Sequence, residues 1–144
     1  MTFFATLEDG AWCIGKDEIP KKLPNLPHSH PDHPLRFTNR GRKLLDFPTD
    51  EQLVHIGDMG GAGQKSLRVA LGHLDCYLSQ GLDFWDLCGA EVIVRAVGGQ
   101  VKDFKGEPIR YLEGSEGTWL KSGVVLTRDS KVFERVRSFI KVKH

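Results

Sequence analysis

Strand-forming residues cluster at the start of the chain and longer-period patterns follow, so elements can be placed before any chemistry is considered. Thr2-Phe3-Phe4-Ala5-Thr6-Leu7 is rich in strand formers, and Glu8-Asp9-Gly10 separates it from the apolar run Ala11-Trp12-Cys13-Ile14. A turn-forming triplet between two such runs predicts a hairpin. From residue 15 to residue 34, Pro20, Pro24, Pro27, Pro31 and Pro34 interrupt polar sequence. Each proline fixes φ and lacks an N–H donor, so neither a helix nor an inner strand is expected, and the segment reads as a long exposed loop.

Leu35-Arg36-Phe37-Thr38 and Leu53-Val54-His55-Ile56 are short strand candidates, the second running into Gly57, Gly60, Gly61 and Gly63. Leu67, Val69, Ala70 and Leu71 then supply the apolar residues of a helix that Gly72 stops, and Asp75-Cys76-Tyr77-Leu78 reads as the next strand. Over residues 86–97, Leu87, Ala90, Val94 and Val97 recur at helical spacing with Val92 and Ile93 beside them, which predicts a helix buried on more than one side and ended by Gly98-Gly99. A short strand at 101–104, a turn at Lys105-Gly106 and a buried strand at 123–126 follow. A closing amphipathic helix at 130–142 presents Val132, Phe133, Val136 and Ile140 on one face. Strands alternating with helices predict a layered α/β domain, its sheet mixed or mainly parallel, with helices on both faces. The expected organisation is an N-terminal hairpin at 1–14, a Pro-rich loop at 15–34 and an α/β domain at 35–144.

A chain of 144 residues suits one domain with its own core. Twenty basic residues against nineteen acidic ones leave a formal charge of +1. No overall field draws the chain to nucleic acid or to an anionic membrane, so neither is expected as a partner and any anion site has to be local. No apolar run approaches the roughly 18 residues of a membrane span, and the start lacks the pattern of a signal peptide, so the expectation is a soluble, cytoplasmic protein. Cys13, Cys76 and Cys88 are odd in number and never form C-x-x-C, which points to buried free thiols.

Four groups could carry chemistry. Asp58-Met59-Gly60-Gly61-Ala62-Gly63-Gln64-Lys65 lies between a predicted strand and a helix, where bare amides and a helix start can hold an anion and Lys65 adds a full charge. The same glycines also suit a simple turn. Asp83 and Asp86 flank Phe84-Trp85 at the start of the next predicted helix, where either can cap free amides or stand in a cleft at the strand ends. His28, His30, Asp32 and His33 carry zinc-ligand chemistry, but the prolines among them leave no regular element to fix a tetrahedron, so a polar loop is expected. Arg40 or Arg42 could approach a phosphate if its loop folds back.

The run Trp85-Asp86-Leu87-Cys88-Gly89-Ala90 through Ala96-Val97-Gly98-Gly99 is similar to the W-D-x-[AC]-[AG] … A-x-G-G signature of inositol-monophosphatase-like enzymes. Gly60-Gly61-Ala62-Gly63-Gln64-Lys65 with Gly72-His73-Leu74-Asp75-Cys76-Tyr77 resembles the G-[GS]-A-G-x-K … G-x-x-D-x-Y segment of the bisphosphate nucleotidases and inositol polyphosphate 1-phosphatases in that family. The resemblance runs from about residue 53 to the end, and residues 3–12 resemble the strand pair that precedes this half. It implies a layered phosphatase fold, hydrolysis of a phosphate monoester by water under magnesium, and a phosphorylated small molecule as partner.

Carried over by position, Asp86 would be a magnesium ligand, and Lys65 with the amides near Gly61 and Gly63 would contact the substrate. Trp85 would brace the metal-bearing turn, with Asp83 in support. Thr38-Asn39-Arg40 loosely resembles the family's T-x-S-R-like segment, which makes Arg40 a further substrate contact. Within the family the resemblance implies a phosphatase of the 3'(2'),5'-bisphosphate nucleotidase type, with an inositol polyphosphate 1-phosphatase-like or a non-catalytic binding role as the alternatives; Gly114-Ser115-Glu116-Gly117-Thr118-Trp119 gives the 1-phosphatase alternative some support. The family's other metal ligands, an early glutamate and an Asp-Pro-[Ile/Leu]-Asp-Gly-[Thr/Ser] motif, do not occur in these residues. Magnesium binding is therefore expected to be weak or incomplete, and a complementary half or a second copy is expected to cover exposed sheet and apolar surface.

Overall fold

Residues 1–28, 30, 32–40, 52–57, 60–111 and 122–140 are described by the computed structural model. The N-terminal hairpin forms as expected: β1 (Thr2–Thr6) and β2 (Gly10–Ile14) pair antiparallel, Thr2 opposite Ile14 and Thr6 opposite Gly10. A third strand, β3 (Pro20–Lys22), adds to β2 inside the segment read as an exposed loop. Its side chains are exposed, yet its backbone is paired. Proline can open an edge strand because its missing donor faces away from the ladder. Beyond β3 the chain stays tethered, with the Leu23 N–H donating to the Ala11 carbonyl at 2.7 Å and the Leu26 N–H to that of Val97 at 2.8 Å.

The main sheet has five strands in the order β5-β4-β6-β8-β7, formed by β4 (Leu35–Arg40), β5 (Leu53–His55), β6 (Cys76–Ser79), β7 (Gln100–Lys102) and β8 (Val124–Thr127). β4 runs parallel to β5 and β6, whereas β8 is antiparallel to β6 and β7, so the sheet is mixed. Alternation along the strands sends side chains to two faces. Tyr77, Val124 and Leu126 enter a core with Val69 and Ala70 of α1 (Ala62–Ala70) and Leu87 and Val94 of α2 (Phe84–Ala96). Cys76, Leu78 and Val125 enter a second core, with Val132, Phe133 and Val136 of α3 (Ser130–Arg137). Ala11 of the small sheet belongs to the first core. The layers thus run small sheet, α1 and α2, main sheet, α3. Burying each of these aliphatic side chains contributes about 1.5–3 kcal/mol, several times a typical surface ion pair, so apolar faces decide where the helices dock.

Three expectations are corrected in detail. α2 begins at Phe84, two residues earlier than the apolar spacing suggests, because Asp83 caps it. α3 ends at Arg137: the Phe139 and Ile140 amides donate to the carbonyls of Val136 and Arg137, three residues back, a tightening that closes a helix. The cysteines are not uniformly buried. Cys76 is, Cys13 is half-buried and Cys88 is exposed on α2.

Candidate active site

Parallel strands leave their carboxyl ends along one rim of a sheet, where the following loops and helix starts converge. At that rim β4 ends with Arg40 opposite Ser79, the last residue of β6. Ser79 is fully buried, and its hydroxyl donates to the Gly81 carbonyl at 3.0 Å, turning the chain toward α2. There Asp83 and Asp86 form a capping box in which the Asp86 carboxylate accepts from the Asp83 N–H at 3.3 Å. The first helical turn needs such acceptors for its unpaired amides. Asp86 is left half-buried at the rim.

On the other side of the rim Gly61 caps α1 in extended conformation and its carbonyl accepts from the Lys65 N–H at 3.1 Å. A Cβ at Gly61 or Gly63 would meet nothing within 4 Å among the described residues, whereas one at Gly60 would run into the Gln64 side chain. Lys65, only 8% exposed, lays its Nζ 5.8 Å from the centre of the Tyr77 ring, within range of a cation–π attraction.

Tyr77 lies beneath this rim; the sequence places it in a strand and in the G-x-x-D-x-Y pattern but assigns it no role. Burial raises its phenol above the usual range. A side-chain hydrogen bond with Ser79 and the charge of Arg40 pull it down, and the Asp86 carboxylate adds to the rise. One buried ring thus lies within electrostatic reach of Arg40 and Asp86 and under Lys65. Lys65, Arg40 and Asp86 are separated by 25 and 21 positions along the chain. Nothing in their spacing reveals this proximity, because it arises from the pairing of β4 with β6.

The remaining candidates fall elsewhere. Trp85 stands 67% exposed on α2, whose first turn carries the Asp83 and Asp86 capping box. His30 and His33 lie at the opposite rim with ring centres 5.1 Å apart, and His30 faces Asp32 at 3.6 Å. Arg42 and residues 114–119 lie outside the described residues. Among the described residues no group of three or more His, Cys, Asp or Glu side chains gathers to hold a metal ion. Magnesium prefers six oxygens, and Asp86 already accepts from an amide, so the described residues of this chain do not fit a complete magnesium site.

The opposite rim carries a charge cluster that sequence reasoning passed over. Asp75, 6% exposed, accepts from the Arg36 N–H at 2.8 Å and from its Nε and Nη2 at 3.3 and 3.2 Å, and from Arg128 Nη1 at 2.9 Å. Arg128 Nη2 also donates to the Pro27 carbonyl at 2.7 Å, pinning the Pro-rich segment to the main sheet. Burial pushes the Asp75 carboxyl up, but the bonds from Arg36 and Arg128 outweigh it and hold its pKa below the usual range.

A mixed sheet lies between helices, and a glycine-started helix and an aspartate-capped helix begin along one of its rims. The sequence pattern of the Inositol monophosphatase family matches residues 3–140, and the chain belongs to that family. It is 33% identical over 93 residues to 3'(2'),5'-bisphosphate nucleotidase 1 of Dictyostelium discoideum, covering 63% of this chain and 29% of that protein. Identity to 3'(2'),5'-bisphosphate nucleotidase CysQ of Haemophilus influenzae is 31% over 120 residues, covering 76% of this chain and 42% of the relative. The solved structure of an inositol monophosphatase family protein from Staphylococcus aureus MSSA476 superposes with a TM-score of 0.68 at 16% identity, over 97% of this chain and 54% of that one, which shows the shared fold. The chain thus spans about half or less of the length of these relatives. No helix among the described residues is long and apolar enough to cross a membrane.

Proposed function

We propose that this chain is the substrate-binding half of a magnesium-dependent phosphatase of the 3'(2'),5'-bisphosphate nucleotidase type, hydrolysing a phosphate monoester of a nucleotide bisphosphate once a metal-binding half is supplied. The observation that carries the reading is that Lys65 lies over the Tyr77 ring while the charges of Arg40 and Asp86 also reach it, next to the Gly61 start of α1. Two cations and a set of amides at a helix start suit the oxygens of a phosphate ester. In this reading Lys65 and the amides near Gly61 and Gly63 hold the substrate, Arg40 takes a second phosphate, and Asp86 contributes one carboxylate to a metal site shared with the other half. The names of the relatives support the nucleotide bisphosphate as substrate.

The test is phosphate release from adenosine 3',5'-bisphosphate with magnesium, by the chain alone and mixed with the amino-terminal half of the Haemophilus influenzae relative. The chain alone is expected to be silent and the mixture active, with activity lost in Asp86→Asn. Turnover by the chain alone would overturn the need for a second half, and a mixture indifferent to Asp86→Asn would overturn the assigned site.

A second reading, a non-catalytic binder of a phosphorylated ligand, is favoured by the lack of a three-ligand metal group among the described residues. Adenosine 3',5'-bisphosphate binding that depends on Lys65, with no turnover in any mixture, is the outcome that selects it.

A further inference from the structure

The rim opposite the candidate active site opens into a cavity of about 740 Å³ between the start of β4, α3 and His30, His33 and Pro34. That size falls within the roughly 300–1,000 Å³ of small-molecule pockets. Its lining divides in two. Pro34, Leu35, Val54 and Val132 supply apolar wall, while Arg36, Arg128, Lys131 and Arg135 bring four full positive charges. The one carboxylate among the lining residues is Asp75, and it is already engaged by Arg36 and Arg128.

The three arginines are also held in place. Arg36 is fixed by Asp75 and by the Gly72 carbonyl, which accepts from its Nη2 at 2.9 Å. Arg128 is fixed by Asp75 and the Pro27 carbonyl. Lys131 and Arg135 lie four residues apart on α3, hence on one face, and Arg135 Nη1 donates to the His33 carbonyl at 3.4 Å. Glu134, the nearby acid on α3, faces Arg137 instead. Like charges placed side by side repel, and gathering them in a walled pocket focuses a field that a multivalent anion relieves. Guanidinium groups already oriented by other bonds lose little freedom when a phosphate docks. The paired rings of His30 and His33 in the lining offer a surface against which a planar group can lie.

We propose that this cavity binds an organic phosphate carrying at least two phosphate groups on an apolar or planar body, at a site separate from the Lys65, Arg40 and Asp86 rim. The cations take the phosphate oxygens, and the wall of Pro34, Leu35, Val54 and Val132 takes the body. A bare polyphosphate would leave that wall wet and bind more weakly.

The test uses ADP and pyrophosphate as probes in isothermal titration calorimetry. ADP is expected to bind the wild-type chain, to weaken roughly tenfold or more in Lys131→Glu/Arg135→Glu, and to show the same dependence on Lys131 and Arg135 in a Lys65→Ala/Asp86→Asn background. Lys131→Ala/Arg135→Ala, a milder pair, is expected to weaken it by roughly threefold or more, and keeps the test decisive should the charge reversals disturb folding. Pyrophosphate is expected to bind at least about fivefold more weakly than ADP, from the lost apolar contact. Absence of ADP binding, equal affinity for pyrophosphate, or sensitivity only to the Lys65 and Asp86 changes would each overturn the proposal.

Discussion

Arg128 and Asp75 are joined twice: Arg128 Nη1 donates to the Asp75 carboxylate at 2.9 Å, and the Arg128 backbone N–H donates to the Asp75 carbonyl at 3.0 Å. One residue precedes β6 and the other follows β8, so the pair locks the register of two adjacent strands at their common end. With Arg36 on the same carboxylate, three strands of the main sheet close on one buried acid.

Acid should therefore loosen this end of the fold. The Asp75 pKa is lowered by the arginines despite burial, so its contribution is complete above the usual carboxylate range near about pH 4 and is lost as pH falls through the lowered folded value. Asp75→Asn leaves two guanidiniums without their counter-charge and is expected to cost about 3 kcal/mol near about pH 7. Urea denaturation should show the gap between variant and wild type narrowing between about pH 4 and about pH 2.

The capping box separates two roles of Asp86. Asp86→Ala removes the acceptor for the Asp83 N–H and should lower stability by about 1 kcal/mol. Asp86→Asn keeps an acceptor oxygen and should lose less than half of that. If the asparagine variant is as stable as the wild type in thermal unfolding yet inactive in the reconstituted phosphatase assay, the carboxylate charge serves chemistry beyond the cap.

Gly98 and Gly99 fail on substitution for different reasons. Gly98 has φ +92°, where a side chain is strained, although nothing lies within 4 Å of its added Cβ; Gly98→Ala should cost about 1–2 kcal/mol. At Gly99 a Cβ would come within 2.6 Å of Val94 Cγ1, 2.9 Å of the Val94 carbonyl and 3.0 Å of the Thr127 carbonyl, so the α2 to β7 junction has to open. Gly99→Ala should cost about 1–3 kcal/mol, and Val94→Ala should restore little because the backbone oxygens remain in the way. Chemical denaturation of the single and double variants measures both claims.

The three thiols should react in order of exposure. Cys88 is expected to be modified first by a thiol reagent such as Ellman's reagent, Cys13 more slowly, and Cys76 only on unfolding, since burial raises its pKa well above the ordinary thiol range. Mass spectrometry of partly modified protein reads the order. Early labelling of Cys76 in the native state would mean that the β6 core opens more readily than its packing implies.

The periodicity of the chain by itself determined the elements and their sequence: the hairpin, the alternating strands and helices, the glycine stops at Gly72 and Gly98, and the apolar face of α3. These are local properties, set by side-chain spacing and by backbone freedom over a few residues. The family motifs likewise marked Lys65 and Asp86 as belonging together. What only the tertiary structure decided depends on contacts across the sheet. Arg40 and Lys65 came within reach of Tyr77 because parallel pairing of β4 and β6 sets Arg40 beside Ser79 while α1 lays Lys65 over the ring. Asp75, Arg36 and Arg128 met because three strand ends share one rim, and Pro20–Lys22 became a strand because β2 offered an open edge. Such meetings carry no local signature, since the free energy that selects them comes from closing distant segments onto a common core.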